Sequence, residues 1–290
     1  MRRTIACPGP PSYARCMSLE DSIGDILRKA RISTATSTAA AAKAAGLSEA
    51  DYEAMESTGK APAGTRFGPL GDLLTIGGAR VEAQSHGWLP APVDLTAWQA
   101  LEMITTAGDG MTVNAYLAWD PDSKKAVLFD TGFEAGPILS LIQDHALHLE
   151  HILITHSHAD HVAALGDLRK AFPNARVHSG SRQAPADQQL KSGSTFEVGS
   201  LHIRHQPTPG HAEDGITFVI TGWADGAPPV AIVGDAIFAG SMGGARDQLK
   251  LARARVQDVI LSLPAPTLIC SGHGPITTVG EEKAHNPWFP

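Results

Sequence analysis

Residues 151–165 read HILITHSHADHVAAL: an apolar run ends at Thr155, and His156, His158, Asp160 and His161 follow at once. Four side chains able to bind a metal thus fall within six residues. A buried strand that hands its chain to a turn lets such side chains converge, and imidazole nitrogen with carboxylate oxygen suits zinc and neighbouring transition metals. A merely solvated polar loop gives no reason for three histidines at this spacing.

Outward from this stretch, the chain from residue 72 alternates short strand-like runs with helical stretches and turn signals. Strands are expected at LLTI (73–76), TVNAYLAW (112–119), KAVLFD (125–130), HILIT (151–155), ARVHS (175–179), LHIRHQ (201–206), ITFVI (216–220), PVAIVGD (229–235) and TLIC (267–270). Helices are expected over 135–147, 161–171 and 246–262, and DPDS (120–123) reads as a hairpin turn. Strands in two blocks with helices between them suit an α/β fold of two mixed sheets packed face to face and flanked by helices. Ahead of it, residues 18–58 carry three helical patterns, with Ser48 and Asp51 placed to cap the third. They read as a small helical appendage for packing or oligomerisation. GKAPAGTRFGPLG (59–71) reads as a linker to a catalytic domain over 72–290, and residues 1–17 as a disordered tail or an over-extended start ahead of Met17.

The segment HSHADH resembles the HxHxDH signature of the metallo-β-lactamase superfamily, whose fold is an αββα sandwich. The resemblance extends to TPGH with His211, GDAIF with Asp235 and SGHGP with His273, each after an expected strand. It implies that His156, His158 and His211 hold one metal, that Asp160, His161 and His273 hold a second, and that Asp235 and a water or hydroxide bridge them. Two divalent ions are implied, zinc first, with iron and manganese as alternatives. Asp160 is the expected catalytic residue, orienting the nucleophile or carrying a proton to the leaving group. Asp130, in VLFDTG, matches the family's aspartate that braces the ligand loops.

GDAIFAGSMG (234–243) and GHGPITTVGEEKAHNPWF (272–289) resemble segments of glyoxalase II and its small relatives, implying metal-assisted hydrolysis of a thioester. The chain departs from them at Gly244 and Ala245, where those relatives carry an Arg and an acidic stretch, so the resemblance speaks for the reaction more than for glutathione recognition. The resemblance also implies that β-lactam cleavage is disfavoured, because the superfamily's β-lactamases usually carry Cys or Ser where this chain has Asp235. Lactone opening shares the ligand set, although Phe238 stands near the place where lactonases carry a tyrosine. A persulfide dioxygenase with a single iron is the alternative from another class. A role in DNA binding by the helical unit is disfavoured, because its acidic side chains outnumber its basic ones.

The net charge of −7 offers no general attraction to nucleic acid or anionic membrane, and no apolar run approaches the roughly 18 residues of a membrane span. A small-molecule substrate is expected, in a cytoplasmic protein whose oligomeric state the sequence leaves open, a homodimer included. Three cysteines without paired spacing fit a reducing compartment, and Cys270 reads as a buried inert thiol. Of the 13 histidines, His145, His148 and His151 are expected at a helix end, and His202 and His205 on a strand away from the metal. Trp88, Leu89, Trp98 and Met103 are candidates for a pocket wall or, more simply, for the core, with a second wall expected from the 180–195 loop.

Overall fold

A computed structural model describes residues 18–191 and 193–290; the expected tail over 1–17, with Cys7 and Cys16, lies outside the described residues. Five helices open the described chain: α1 (Ile23–Ser33), α2 (Thr38–Ala45), α3 (Glu49–Thr58), α4 (Phe67–Leu74) and α5 (Gly78–Ser85). Serines 22, 37 and 48 cap the first three by accepting amide hydrogens of the first turn, Ser48 from Asp51 as its spacing predicts. Gly46 and Gly59 end α2 and α3 in the left-handed conformation that glycine adopts without strain.

Two sheets follow. The first runs β1 (Leu101–Gly108), β2 (Met111–Trp119), β3 (Lys125–Phe129), β4 (His148–Ile154) and β5 (Arg176–Ser179), antiparallel through β3 and parallel from β3 to β5. Helix α6 (Gly136–Asp144) connects β3 to β4, and the short α7 (Ala159–Val162) and α8 (Leu165–Ala171) connect β4 to β5. The second sheet contains β6 (Thr195–Val198), β7 (Leu201–Pro207), β8 (Ile216–Thr221), β9 (Val230–Gly234), β10 (Leu268–Ser271) and β11 (Thr277–Thr278), in the spatial order 11-10-9-8-7-6. Only β9 and β10 are parallel neighbours in it. Helix α9 (Leu249–Arg255), continued by a π turn over Val256–Ile260, precedes β10, and α10 (Val279–His285) follows β11. The expected two-sheet α/β sandwich is therefore the observed architecture.

Strand periodicity divides the core. In the second sheet Phe218, Ile220, Ile232 and Cys270 join the cluster shared with the first sheet, which includes Phe129, Leu128 and Leu153. Their neighbours Val219, Ala231, Val233 and Ile269 point the other way, into a cluster shared with Ile26, Leu27, Tyr52, Met55, Leu70 and Trp288. The N-terminal helices thus cover one face of the second sheet.

Several expectations need correction. LLTI is no strand: Leu73 and Leu74 end α4, which begins inside the segment expected as a linker. Gly71 and Gly78 are the physical reason, since a Cβ on Gly71 would stand 2.5 Å from the Gly78 amide and one on Gly78 2.1 Å from the Phe67 carbonyl. These glycines permit the close crossing of α4 and α5 rather than a flexible connection. His145 does cap the end of α6, but His148 and His151 lie on β4, paired in parallel with Lys125 and Val127 of β3. Helices α5 and α10 and strands β1, β6 and β11 have no counterpart among the expected elements.

Candidate metal centre

Strands β7 and β9 are each antiparallel to β8, and β10 is parallel to β9, so all three deliver their C-terminal ends to one edge of the second sheet. His211, Asp235 and His273 follow those ends. The segment after β4 meets them there, tied across the two sheets by the Ile216 amide donating to the Thr155 carbonyl at 2.8 Å. All seven expected ligands are brought together. His156, His158 and His211 form one group, Asp160, His161 and His273 another, and Asp235 groups with His156 and His161.

Spacing within the cluster is that of ligands around shared centres. His158 Nδ1 lies 3.0 Å from Nε2 of both His156 and His211. His161 Nε2 is 3.5 Å and His273 Nε2 3.3 Å from Asp160 Oδ2. Asp235 stands between the groups, Oδ1 3.3 Å from His161 Nε2 and Oδ2 3.4 Å from Nε2 of both His211 and His273. Ligands held about 2.0–2.1 Å from a tetrahedral centre lie roughly 3.3 Å apart.

The protonation pattern fits a cation as well. His211 Nδ1 donates to the Gly244 carbonyl, His273 Nδ1 to the Thr112 carbonyl and His161 Nδ1 to Asp130 Oδ2. The Thr155 hydroxyl gives its one hydrogen to Asp130, so it accepts from His156 Nδ1. In its neutral form each of these four imidazoles would therefore turn an Nε2 lone pair toward the centre, a metal ion taking the place of the Nε2 proton. Among the described residues, His161 Nε2 and Asp235 Oδ1 are fully buried and have no hydrogen-bond partner, a costly arrangement that a metal ion would relieve. Burial, with His161 alongside, pushes the His156 imidazolium down to about 3. Burial acts the same way on His161 and His273, but Asp130 and Asp235 in the first case and Asp160 and Asp235 in the second outweigh it, to about 10 and 11. Asp235, despite burial that would raise it, is held well below the usual carboxylate range by His161 and His273. A buried anionic centre that retains protons this tightly is one that a metal ion neutralises.

The surrounding bonds explain why the loops hold still. Asp130, buried in the left-handed conformation at φ 57°, accepts from the Thr155 amide and hydroxyl, both at 2.7 Å, and from His161 at 2.8 Å. Other braces are not legible in the sequence because their partners lie far along the chain. The Ser157 amide donates to Asp214 at 3.1 Å, while the Asn114 side chain and the Tyr116 hydroxyl donate to carbonyls of the His273 loop. A Cβ on Gly272 would stand 2.3 Å from Asp235 Oδ1, and one on Gly243 2.7 Å from His211 Nδ1, so both positions need glycine. The remaining histidines stay outside the centre; His151 Nδ1 and His178 Nε2 meet 3.2 Å apart at the far strands. Cys270 faces the inter-sheet core, where burial pushes its thiol up and keeps it un-ionised. Trp98 is buried, with its indole donating to Pro228, whereas Trp88 packs on His285 and Leu89 is exposed, so the proposed apolar wall is dispersed.

An αββα sandwich with paired histidine and aspartate ligand groups along one sheet edge defines a class of metal-binding catalytic domain. The chain belongs to the metallo-beta-lactamase superfamily, whose family model matches residues 108–273. A hydroxyacylglutathione hydrolase of Cereibacter sphaeroides is 36% identical over 165 residues, 55% of this chain and 61% of that enzyme. The mitochondrial persulfide dioxygenase ETHE1 of Homo sapiens is 32% identical over 181 residues, 59% of this chain and 69% of that one. The crystal structure of BLEG-1 B3 metallo-beta-lactamase superposes with a TM-score of 0.56 at 28% identity, covering 65% of this chain and 99% of the other. Helices α1 to α5 precede the matched residues. Among the described residues no helix is long and apolar enough to cross a membrane.

Proposed function

We propose that the chain is a dinuclear metal-dependent hydrolase acting on a thioester. The observation that carries this reading is the place of Asp235, whose two oxygens face ligands of both groups at 3.3 and 3.4 Å. Two bound divalent ions, zinc first for an all-nitrogen and oxygen donor set, would supply Lewis acidity and lower the pKa of water toward neutrality. His156, His158 and His211 would hold one ion, and Asp160, His161 and His273 the other. Asp160 is half-buried, and burial alone would raise its carboxyl, but His273 and His161 outweigh this and keep it ionised. It is thus ready to orient a water and to accept its proton. A thiolate leaves readily at neutral pH, so no strong acid is required of the chain, and the hydroxyacylglutathione hydrolase relative supports thioester chemistry.

The persulfide dioxygenase relative supports a second reading, in which a single iron is held and some of these ligands stay uncoordinated. The test is a metal-replete panel of thioesters, lactones, β-lactams and phosphodiesters, with metal content measured and Asp160→Ala run beside the parent. Two metals per chain, thioester turnover and a loss of about 100-fold or more in Asp160→Ala are expected. One iron per chain with oxygen uptake on a persulfide would overturn the hydrolase reading. Turnover of lactones alone would overturn the substrate, and undiminished activity in Asp160→Ala would overturn the assigned role.

A further inference from the structure

Asp235 and Gly244 bound a loop that bears on both ends of the metal centre. Gly244 gives its carbonyl to His211, and the Phe238 ring packs edge-on against His273 with centroids 5.8 Å apart. The loop is pinned on one side by the C-terminal helix: Asn286 donates to the Ser241 carbonyl at 2.8 Å, and Glu282 accepts from the Gly240 amide at 2.9 Å. On the other side the partner is the N-terminal helical unit. Asp21, buried just ahead of α1, accepts from the Ser241 hydroxyl and from Lys29 Nζ at 2.6 Å. Lys29 also donates to the Met242 carbonyl at 3.1 Å and stands 5.6 Å above the Phe238 ring. Its Cε passes 3.9 Å from where a Cβ on Gly244 would stand, so its stem runs along the very residue that orients His211.

We infer that Asp21 and Lys29 are positioning residues of the metal centre, and that the helical unit is a working part of the site. The inference rests on the metal-site reading and is independent of the substrate. A buried aspartate with two donors and a lysine with a carbonyl, a carboxylate and an aromatic face form a closed strut between α1 and the loop. Removing either charge strands the other in a poorly solvated place and takes away one of the contacts that hold the loop. Outer contacts of this kind typically tune metal affinity by about 10- to 100-fold.

The test compares Lys29→Met, Asp21→Asn and Ser241→Ala with Lys29→Arg and with Glu56→Gln. The last is a control: Glu56 of α3 pairs with Arg31 of α1 at 2.7 Å, an ion pair within the helical unit. Zinc affinity is read by chelator competition, and cobalt-loaded protein is read by its ligand-field absorption. Lys29→Met and Asp21→Asn should lose about 10-fold or more in affinity and shift the cobalt spectrum, Ser241→Ala less so, with partial recovery in Lys29→Arg. Glu56→Gln should lower Tm while leaving both metal readouts unchanged. Parental affinity and spectrum in the Lys29 and Asp21 variants would overturn the inference, as would an equal effect of Glu56→Gln. Ser241→Ala keeps both charges and decides the matter where a charge variant does not fold. Failure of the parent chain to bind zinc or cobalt would count against the metal site itself, a result distinct from an unmoved variant.

Discussion

At the residue scale, Asp130 shows how a side chain outside the ligand set governs one within it. Its carboxylate receives three hydrogens, from the Thr155 amide, the Thr155 hydroxyl and His161 Nδ1. An asparagine offers one acceptor oxygen and brings two hydrogens of its own, so Asp130→Asn must leave donors facing donors in a buried place. It also removes the charge opposing burial at His161. Metal affinity in Asp130→Asn should fall by about 10- to 100-fold with the fold retained, measured by chelator competition beside circular dichroism. Unchanged affinity would show that the Asp130 contact does not govern His161. The ligands themselves were legible because each is a chemically distinctive side chain just past an apolar run. Asp214, Asn114 and Tyr116 were not, since their work depends on backbone groups 57 to 160 residues away. Gly243 and Gly272 carried no signal either, because their need for a missing Cβ exists only once Asp235 and His211 have met.

At the scale of elements, the C-terminal helix α10 repeats the lesson with a titrating group. Glu282 is fully buried, accepting from Thr277, Gly240 and Asn286. Burial outweighs these donors and raises its carboxyl from 4.5 to about 7. A folded pKa above the unfolded one means that the folded state binds the extra proton. The associated stability is complete below about pH 4.5 and is lost as pH rises through 7. Glu282→Gln keeps an acceptor for Gly240 and Asn286 and can donate to the Thr277 hydroxyl, yet has no charge to bury. Its unfolding free energy, measured by denaturant titration, should vary less between pH 5 and 8 than that of the parent, by on the order of 2 kcal/mol. A parallel pH dependence in the two proteins would mean that Glu282 is not the source. The motif around Glu282 was legible as a resemblance, but its mechanical role was not. The same limit explains the strand expected at LLTI and the linker over 59–71: glycine and proline there read as breaks, whereas Gly71 and Gly78 serve a helix crossing. Local pattern reports what a segment tolerates, and packing decides which use is made of it.

Over the whole molecule, the question is whether the N-terminal helices are cargo or structure. Ile26, Leu27, Tyr52 and Met55 are all but inaccessible and share one buried cluster with Val219, Ala231, Val233 and Ile269 of the second sheet. A fully buried side chain of this kind contributes about 1.5–3 kcal/mol relative to exposure, so losing four exceeds much of a domain's net stability of roughly 5–15 kcal/mol. Removing residues 18–58 should therefore uncover an apolar sheet face. It should also take away the Asp21 and Lys29 contacts with Ser241 and Met242. A chain starting at residue 59 is expected to aggregate or bind a hydrophobic dye, with Tm lowered by 10 °C or more on an order-of-magnitude basis. Differential scanning calorimetry of the shortened and parent chains makes the comparison. Equal Tm with no dye binding would mean that residues 59–290 form a self-sufficient domain and that the shared cluster adds nothing to it. A shortened chain that melts cooperatively but lower, with weakened zinc binding, would place both stability and site geometry on the helical unit.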